Sequence, residues 1–226
     1  MFLAAVARPQ FDQDNNTLFD GKIGIFLFVY KEPFQRSSKN RIARTLETKA
    51  CTSITKDVYR SCLLLQVLPQ IRQKWPLLSS PTTYIQQDNA RAHLSMDDDE
   101  FVRAVKQDGF DINLVCQPPN SPDLNVLDFG FFRSIQTLQH QEAPKNIDEL
   151  QAVVEKAFNE LSPRCLNNVF LSLKSCMVEI IKSFGDNRYK LPHIGKGHLA
   201  RVGNLPVTMT CDFVDVQQAV VVLQTQ

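Results

Sequence analysis

The sequence has little of what marks a membrane protein, a secreted protein or a zinc protein. No stretch approaches the roughly 20 consecutive apolar residues that a membrane-spanning helix needs. Residues 1–8 lack the basic start and the length of a signal peptide. The six cysteines include no C-x-x-C pair, so their spacing encodes neither a zinc site nor a disulfide framework. We therefore expect an intracellular protein whose cysteines are reduced and buried.

The chain also lacks a large net charge, at +1, yet its charges are unevenly distributed. Residues 31–60 hold eight Lys or Arg side chains against three acidic ones. A local excess of this kind favours an anionic partner. A solvated surface loop is the alternative, because exposed loops often carry Lys and Arg.

The order of the predicted elements indicates an α/β fold. β-prone apolar runs predict strands at residues 1–8, 22–30, 83–85 and 112–116. Helical spacing behind capping residues predicts helices over residues 55–75, 95–108, 146–161 and 163–184, the first of them interrupted at Pro69. Residues 34–49 suggest a loop, and residues 213–223 suggest either an edge strand or a segment that packs on a neighbour. This order predicts a sheet with helical cover over residues 1–194 and a weakly patterned tail over residues 195–226.

Two acidic residues stand in unlike local contexts. Asp88 follows the β-prone run in the motif QDNARAH (residues 87–93), so a strand is expected to deliver its carboxylate at the strand's carboxyl end. Asp128 closes the motif PPNSPDLNVLD (residues 118–128), whose prolines and Asn or Ser residues predict a rigid turn before helical spacing begins. Either residue alone would more simply cap a helix or satisfy a turn. Between the two there are 39 residues.

In this order and spacing the two motifs resemble the catalytic domain of mariner-like transposases, DNA cut-and-paste enzymes of the DDE/D superfamily. The resemblance covers roughly residues 1–200. It implies a ribonuclease-H-like fold, with a mixed central sheet flanked by helices. It also implies that Asp88 and Asp128 are catalytic residues and ligands of Mg²⁺ or Mn²⁺ in a two-metal site. Asn89 and His93 would support Asp88 or approach the DNA, although both residue types are commonly structural in such places.

The resemblance implies DNA as the partner. The candidate DNA-binding residues then come from the basic segment: Lys39, Arg41, Arg44 and Lys49. Binding through them should weaken steeply with salt and show little sequence preference. The resemblance further implies a nuclear location, no membrane and no small-molecule cofactor, and it leaves a homodimer open.

The sequence departs from the family pattern at three places. Ala92 and Val126 stand where proline is frequent, which loosens two turns but removes no ligand. The family's first carboxylate, on an Asp-Glu-Lys-Trp-like first strand, has no counterpart between Met1 and Asp88. Because that carboxylate bridges both metal ions, we expect the chain as given to lack the first strand and not to cut DNA. The alternatives are a non-catalytic nucleic-acid-binding domain, a truncated gene model of an active transposase, and a partner-binding domain without nucleic acid.

Overall fold

The computed structural model describes residues 1–33, 44–76, 82–106, 110–139, 142–186 and 188–225. The chain divides into two compact units, each built from segments that are distant in the sequence. The first unit comprises Met1–Ala7, Gly21–Cys116 and Ser134–Leu161, and the second comprises Arg8–Asp20, Gln117–Arg133 and Ser162–Gln226. Strands and helices occur together, so the predicted α/β class is confirmed at this coarse level.

The elements of the described residues are as follows. The strands are β1 (Phe2–Val6), β2 (Gln10–Phe11), β3 (Thr17–Phe19), β4 (Lys22–Leu27), β5 (Val29–Pro33), β6 (Leu46–Ala50), β7 (Thr82–Gln87) and β8 (Asp111–Cys116). The α-helices are α1 (Lys56–Cys62), α2 (Leu68–Lys74), α3 (Asp99–Val105), α4 (Phe132–Gln139), α5 (Ile147–Glu160), α6 (Pro163–Lys182), α7 (Lys196–Arg201) and α8 (Phe213–Gln224). Leu63–Val67 and Leu127–Phe131 are π-helical, and Pro122–Leu124 is a 3₁₀ turn. None of the helices described is long and apolar enough to pass through a membrane.

In the first unit the strand predicted over residues 22–30 is two strands. β4 pairs antiparallel with β1, whereas β5 pairs antiparallel with β6, and the chain changes partner at the buried Phe28. The Phe28 amide donates to the Met1 carbonyl at 3.1 Å, and the Phe28 carbonyl accepts from the Cys51 amide at 2.9 Å. The loop predicted over residues 34–49 is wrong from Leu46 onward, because pairing with β5 supplies β6 with the hydrogen bonds of a strand. Residues 34–43 lie outside the described part of the chain.

A π-helical turn changes the buried face of the first helical segment. Thr55 caps α1 as predicted, and its hydroxyl accepts from the Val58 amide at 3.3 Å. At Leu63–Val67 the backbone adopts i→i+5 bonding just before Pro69, which cannot donate a backbone hydrogen bond. The wider turn shifts the helix face, so that Val67 is buried while Leu65, which unbroken helical spacing would place on the same face as Cys62, is 75% exposed.

The strands predicted at residues 83–85 and 112–116 are present as β7 and β8, and they form a parallel pair. The helix between them is shorter than the one predicted over residues 95–108. Asp98 is its N-cap and accepts from the Phe101 amide at 3.2 Å, so the helix begins at Asp99 and not at the predicted residue 95. The predicted end at Gly109 lies outside the described residues.

In the second unit α6 packs against the turns that carry Asp128. Ser162 caps this helix and Pro163 occupies its first turn, both as predicted. Helix α6 contacts the 3₁₀ turn and the π-helical turn at Leu127–Phe131. A Cβ added at Gly130 would lie 3.1 Å from Cγ2 of Val169, so the absence of a side chain lets the two elements approach closely.

The edge strand predicted over residues 213–223 is wrong, because this segment is α8. Its valines favour a strand when only propensity is considered. The Asp212 side chain, however, caps a helix by accepting from the Val214 amide at 2.8 Å. Helix α8 packs on α6 and buries Ala219. A helix satisfies its backbone hydrogen bonds within the segment, without a neighbouring strand.

Candidate functional site

Asp88 follows directly after β7, at the carboxyl end of the parallel strand pair. The last paired residue of β7 is Gln87, which lies opposite Cys116 of β8. The Asp88 side chain is 47% exposed. In α/β sheets, ligands bind at the carboxyl ends of parallel strands. The predicted delivery of this carboxylate by a strand is confirmed.

One oxygen of Asp88 is held by two donors. Its Oδ1 accepts from the Ala90 amide at 2.9 Å, an Asx-turn contact that fixes the loop after β7. The same Oδ1 lies 2.7 Å from Nδ1 of His93. That ring nitrogen also lies 2.9 Å from the Asp88 backbone carbonyl. Both contacts use Oδ1, so Oδ2 is the oxygen that they leave open to a ligand.

The imidazole ring of His93 packs against the ring of Tyr59. The sequence interpretation did not assign Tyr59 to the site. The ring centroids are 4.3 Å apart with the ring planes inclined by 31°. The Tyr59 hydroxyl lies 3.2 Å from Oε1 of Gln87, whose amide nitrogen donates to the Leu94 carbonyl at 2.5 Å. Burial, and to a lesser extent the nearby Asp88 carboxylate, raise the pKa of Tyr59, so its hydroxyl remains a donor. The signal available in the sequence was a tyrosine in the helix before the motif.

Arg60, next to Tyr59, ties α1 to the start of α3. Its guanidinium donates to the buried Asp98 carboxylate at 2.8 Å from Nη2 and at 3.2 Å from Nε. It also pairs with Asp57 at 2.7 Å, and Glu100 is 3.8 Å away. The hydrogen bonds from Arg60 lower the pKa of Asp98. Arg60 belongs by sequence to the basic segment, but its guanidinium group already faces these three carboxylates within the protein.

Asp128 lies in the first turn of the helical segment that follows the proline-rich turn, as predicted. Its side chain is exposed, and its Oδ2 accepts from the amide nitrogen of Asn125 at 2.9 Å. The Asn125 side-chain oxygen in turn accepts from the Leu127 amide at 3.0 Å. Asn125 therefore orients Asp128 in the way that Ala90 and His93 orient Asp88, a role that the sequence interpretation did not assign.

Asp88 belongs to the first unit and Asp128 to the second. Their convergence on one metal ion stays a prediction, as do the supporting roles of Asn89 and His93. Within the described ranges, no group of three or more His, Cys, Asp or Glu side chains is placed to hold a metal ion.

Two of the four candidate DNA-binding residues can be placed. Lys49 lies on β6 and pairs with Glu32 of β5 at 2.8 Å, and this pairing raises its pKa. Arg44 is exposed and has a positive φ of 70°. Lys39 and Arg41 lie outside the described residues. Of the two that are placed, Lys49 already has an anionic partner within the protein.

We compared the chain with family models, with curated proteins and with solved structures, and none of them matches.

Proposed function

We propose that this chain is the catalytic core of a mariner-like transposase, with a metal site built on Asp88 and Asp128. The observation that carries the proposal is the position of Asp88, half exposed at the carboxyl end of a parallel strand pair. The exposed Asp128 in an ordered helical turn supports it. The reaction class would be metal-dependent DNA strand cleavage and transfer, which implies a nuclear location.

We also propose a ribonuclease-H-like arrangement for the first unit. Among the described residues, antiparallel β1–β4 and parallel β7–β8 are separate two-stranded sheets of the same unit. A ribonuclease-H-like sheet would join both strand directions. Helices α2 and α5 contact β4, and α3 contacts β8, which provides helical cover for both strand pairs. These features favour the fold that the motif resemblance implies.

The donor chemistry at both residues suits Mg²⁺ or Mn²⁺. Such ions take carboxylate oxygens, and Asp88 offers Oδ2 while Asp128 is exposed. A bound ion would make an attacking oxygen nucleophilic and neutralise charge on the leaving oxygen. The protein's own contribution is orientation: His93 and the Ala90 amide hold one carboxylate, and Asn125 holds the other.

A double-mutant cycle tests whether the two carboxylates share an ion. Mn²⁺ binding is followed by the electron paramagnetic resonance signal of the free ion in wild type, Asp88→Asn, Asp128→Asn and the double variant. If the site is shared, each single change should weaken binding strongly, and the double change should add much less than the sum. Asp123→Asn is the matched control, since Asp123 lies in the preceding 3₁₀ turn and its residue type there is expected to fix the turn and not to bind metal. Wild-type Mn²⁺ affinity in either single variant would contradict the shared site.

Metal binding does not by itself imply catalysis, and we propose that the chain as given does not cut DNA. It holds only two of the three carboxylates that the family resemblance implies. An error of about 1 Å in positioning reacting groups can cost about 100-fold in rate, and a lost bridging ligand should cost more. Supercoiled plasmid incubated with Mg²⁺ or Mn²⁺ should stay intact. Robust nicking that disappears in Asp88→Ala would overturn this part of the proposal.

DNA binding through the basic segment is tested by its salt dependence. Each phosphate contact contributes about 0.9 to the slope of log affinity against log salt. Replacing Lys39, Arg41 and Arg44 together by Gln should lower that slope by up to about 3. Lys49→Gln should lower it less than one of these changes, because Glu32 already pairs with Lys49. An unchanged slope in the triple variant would exclude the segment as the DNA contact.

A further inference from the structure

Tyr59 contacts both sides of the loop that carries Asp88. Its ring lies against His93, which follows Asp88 in the loop, and its hydroxyl reaches Gln87, which precedes Asp88. Tyr59 is buried, with 7% of its surface exposed. A rigid aromatic ring in this position limits the movement of the imidazole above it.

The Gln87 amide is held at both of its ends. Its oxygen lies 3.2 Å from the Tyr59 hydroxyl, and its nitrogen donates to the Leu94 carbonyl at 2.5 Å. Because a tyrosine hydroxyl can donate and the amide oxygen can only accept, these bonds fix the orientation of the amide. The hydroxyl and the loop are therefore linked through one buried side chain, which is 7% exposed.

The hydrogen bonds of His93 define which ring nitrogen carries the proton. Nδ1 faces two oxygens of Asp88, the backbone carbonyl at 2.9 Å and Oδ1 at 2.7 Å. Both oxygens only accept, so Nδ1 must donate. A histidine–carboxylate hydrogen bond of this kind orients both partners.

We propose that Tyr59 is a positioning residue for Asp88: it holds His93 in the Nδ1–H form, which fixes Oδ1 and leaves Oδ2 as the oxygen that faces a ligand. The assignment of that ligand as a divalent metal ion rests on the proposed function. The positioning itself depends only on contacts within the first unit.

The first test is the tautomer of His93, which a merely structural tyrosine would not control. Long-range ¹H–¹⁵N spectra of the imidazole are recorded in alkaline buffer, in which model histidine side chains are neutral. The wild type should show the Nδ1–H pattern. Tyr59→Met, which keeps apolar volume without a ring, should lose that pattern in part, whereas Tyr59→Phe should keep it. Tyr84→Met is the matched control, because Tyr84 is on β7 and 66% exposed.

The second test is Mn²⁺ affinity, measured on the same set of variants. Loss of an outer-shell partner typically weakens metal binding by about 10- to 100-fold, so Tyr59→Met should bind Mn²⁺ at least about 10-fold more weakly than wild type. Tyr59→Phe should recover most of this loss, and Tyr84→Met should show none.

The outcomes separate the two proposals. An Nε2–H pattern in the folded wild type overturns the role of Tyr59 without any variant, even if Tyr59→Met does not fold. An unchanged Nδ1–H pattern and unchanged Mn²⁺ affinity in folded Tyr59→Met also overturn it. If the wild type binds no Mn²⁺ at all, the metal function fails, and the tautomer comparison still decides whether Tyr59 positions His93.

Discussion

Removing the buried Asp98 carboxylate should destabilise the first unit. Asp98 has two tasks: it caps α3 through the Phe101 amide, and it accepts the guanidinium hydrogen bonds of Arg60 from α1. Only 6% of its side chain is exposed. Losing the cap costs about 1 kcal/mol. Losing hydrogen bonds to a charged partner costs about 1.5–3 kcal/mol, so Asp98→Ala should lower the free energy of unfolding by about 3 kcal/mol.

A second variant separates the two tasks. Asn is as good an N-cap as Asp, so Asp98→Asn keeps the cap and loses only the charge, and it should cost about 2 kcal/mol or less. Asp57 and Glu100 stay beside Arg60 in both variants and limit the loss. Asp97→Ala is the control, because Asp97 is exposed, and it should change stability by less than about 0.5 kcal/mol.

Urea unfolding followed by tryptophan fluorescence is the assay. The chain has one tryptophan, Trp75, and it lies in the same unit as Asp98, so its signal reports on that unit. Asp98→Ala with a stability within about 0.5 kcal/mol of wild type would refute the idea that this carboxylate ties α1 to α3.

The pH dependence of the same experiment has a defined sign. Hydrogen bonds from Arg60 lower the pKa of Asp98 in the folded protein. A lowered folded-state pKa stabilises the folded state at pH values above the ordinary Asp pKa of about 3.9, and this contribution is lost as the pH falls towards the folded-state pKa. The stability difference between wild type and Asp98→Asn should therefore be full at pH 7 and shrink below about pH 4. A difference that grows in acid would contradict this.

Three further predictions concern other parts of the chain. Phe131→Ala, at a position with no exposed surface, should lower the free energy of unfolding by about 3–5 kcal/mol in circular dichroism melts, and a loss below about 1 kcal/mol would show that its burial is not maintained in solution. Asn146→Ala removes the cap of α5 and should cost about 1 kcal/mol by chemical denaturation, whereas Asn146→Ser should cost little, because serine is an equally good N-cap. Iodoacetamide at about pH 8 should modify the exposed Cys116 well before Cys62, because burial raises the pKa of Cys62 to about 11. Mass spectrometry after short exposure checks the order, and early modification of Cys62 would count against its burial.

Features that depend on neighbours in the sequence could be predicted from the sequence. The cap of α5 is an example: Asn146 accepts from the Glu149 amide at 2.9 Å, and the Glu149 carboxylate accepts from the Lys145 amide at 2.7 Å. The local conformations around Asp88 and Asp128 also depend on near neighbours in the sequence. Asp88 follows a strand and bonds to the amide of Ala90, and Asp128 begins a helical segment behind a proline-rich turn. These bonds close over two to four residues, so the residue types at those positions determine them.

Features that depend on distant segments were predicted incorrectly or missed. Residues at the start of β6 resemble a loop until β5 supplies their hydrogen bonds, and the valines of α8 suggest a strand until the helix packs on α6. Lys49 looks like a free DNA contact in the sequence, although β5 brings Glu32 to within 2.8 Å of it.

For the candidate site, the sequence by itself identified Asp88, His93 and Asp128 and the loop or turn that presents each of them. Only the tertiary structure placed the Tyr59 ring against His93. His93 in turn contacts Oδ1 of Asp88 and leaves Oδ2 open to a ligand. The physical reason is the range of the interactions. Caps and turns are decided by hydrogen bonds between near neighbours, whereas the face that a helix buries depends on a π-helical turn and on the packing of segments that are far apart in the chain.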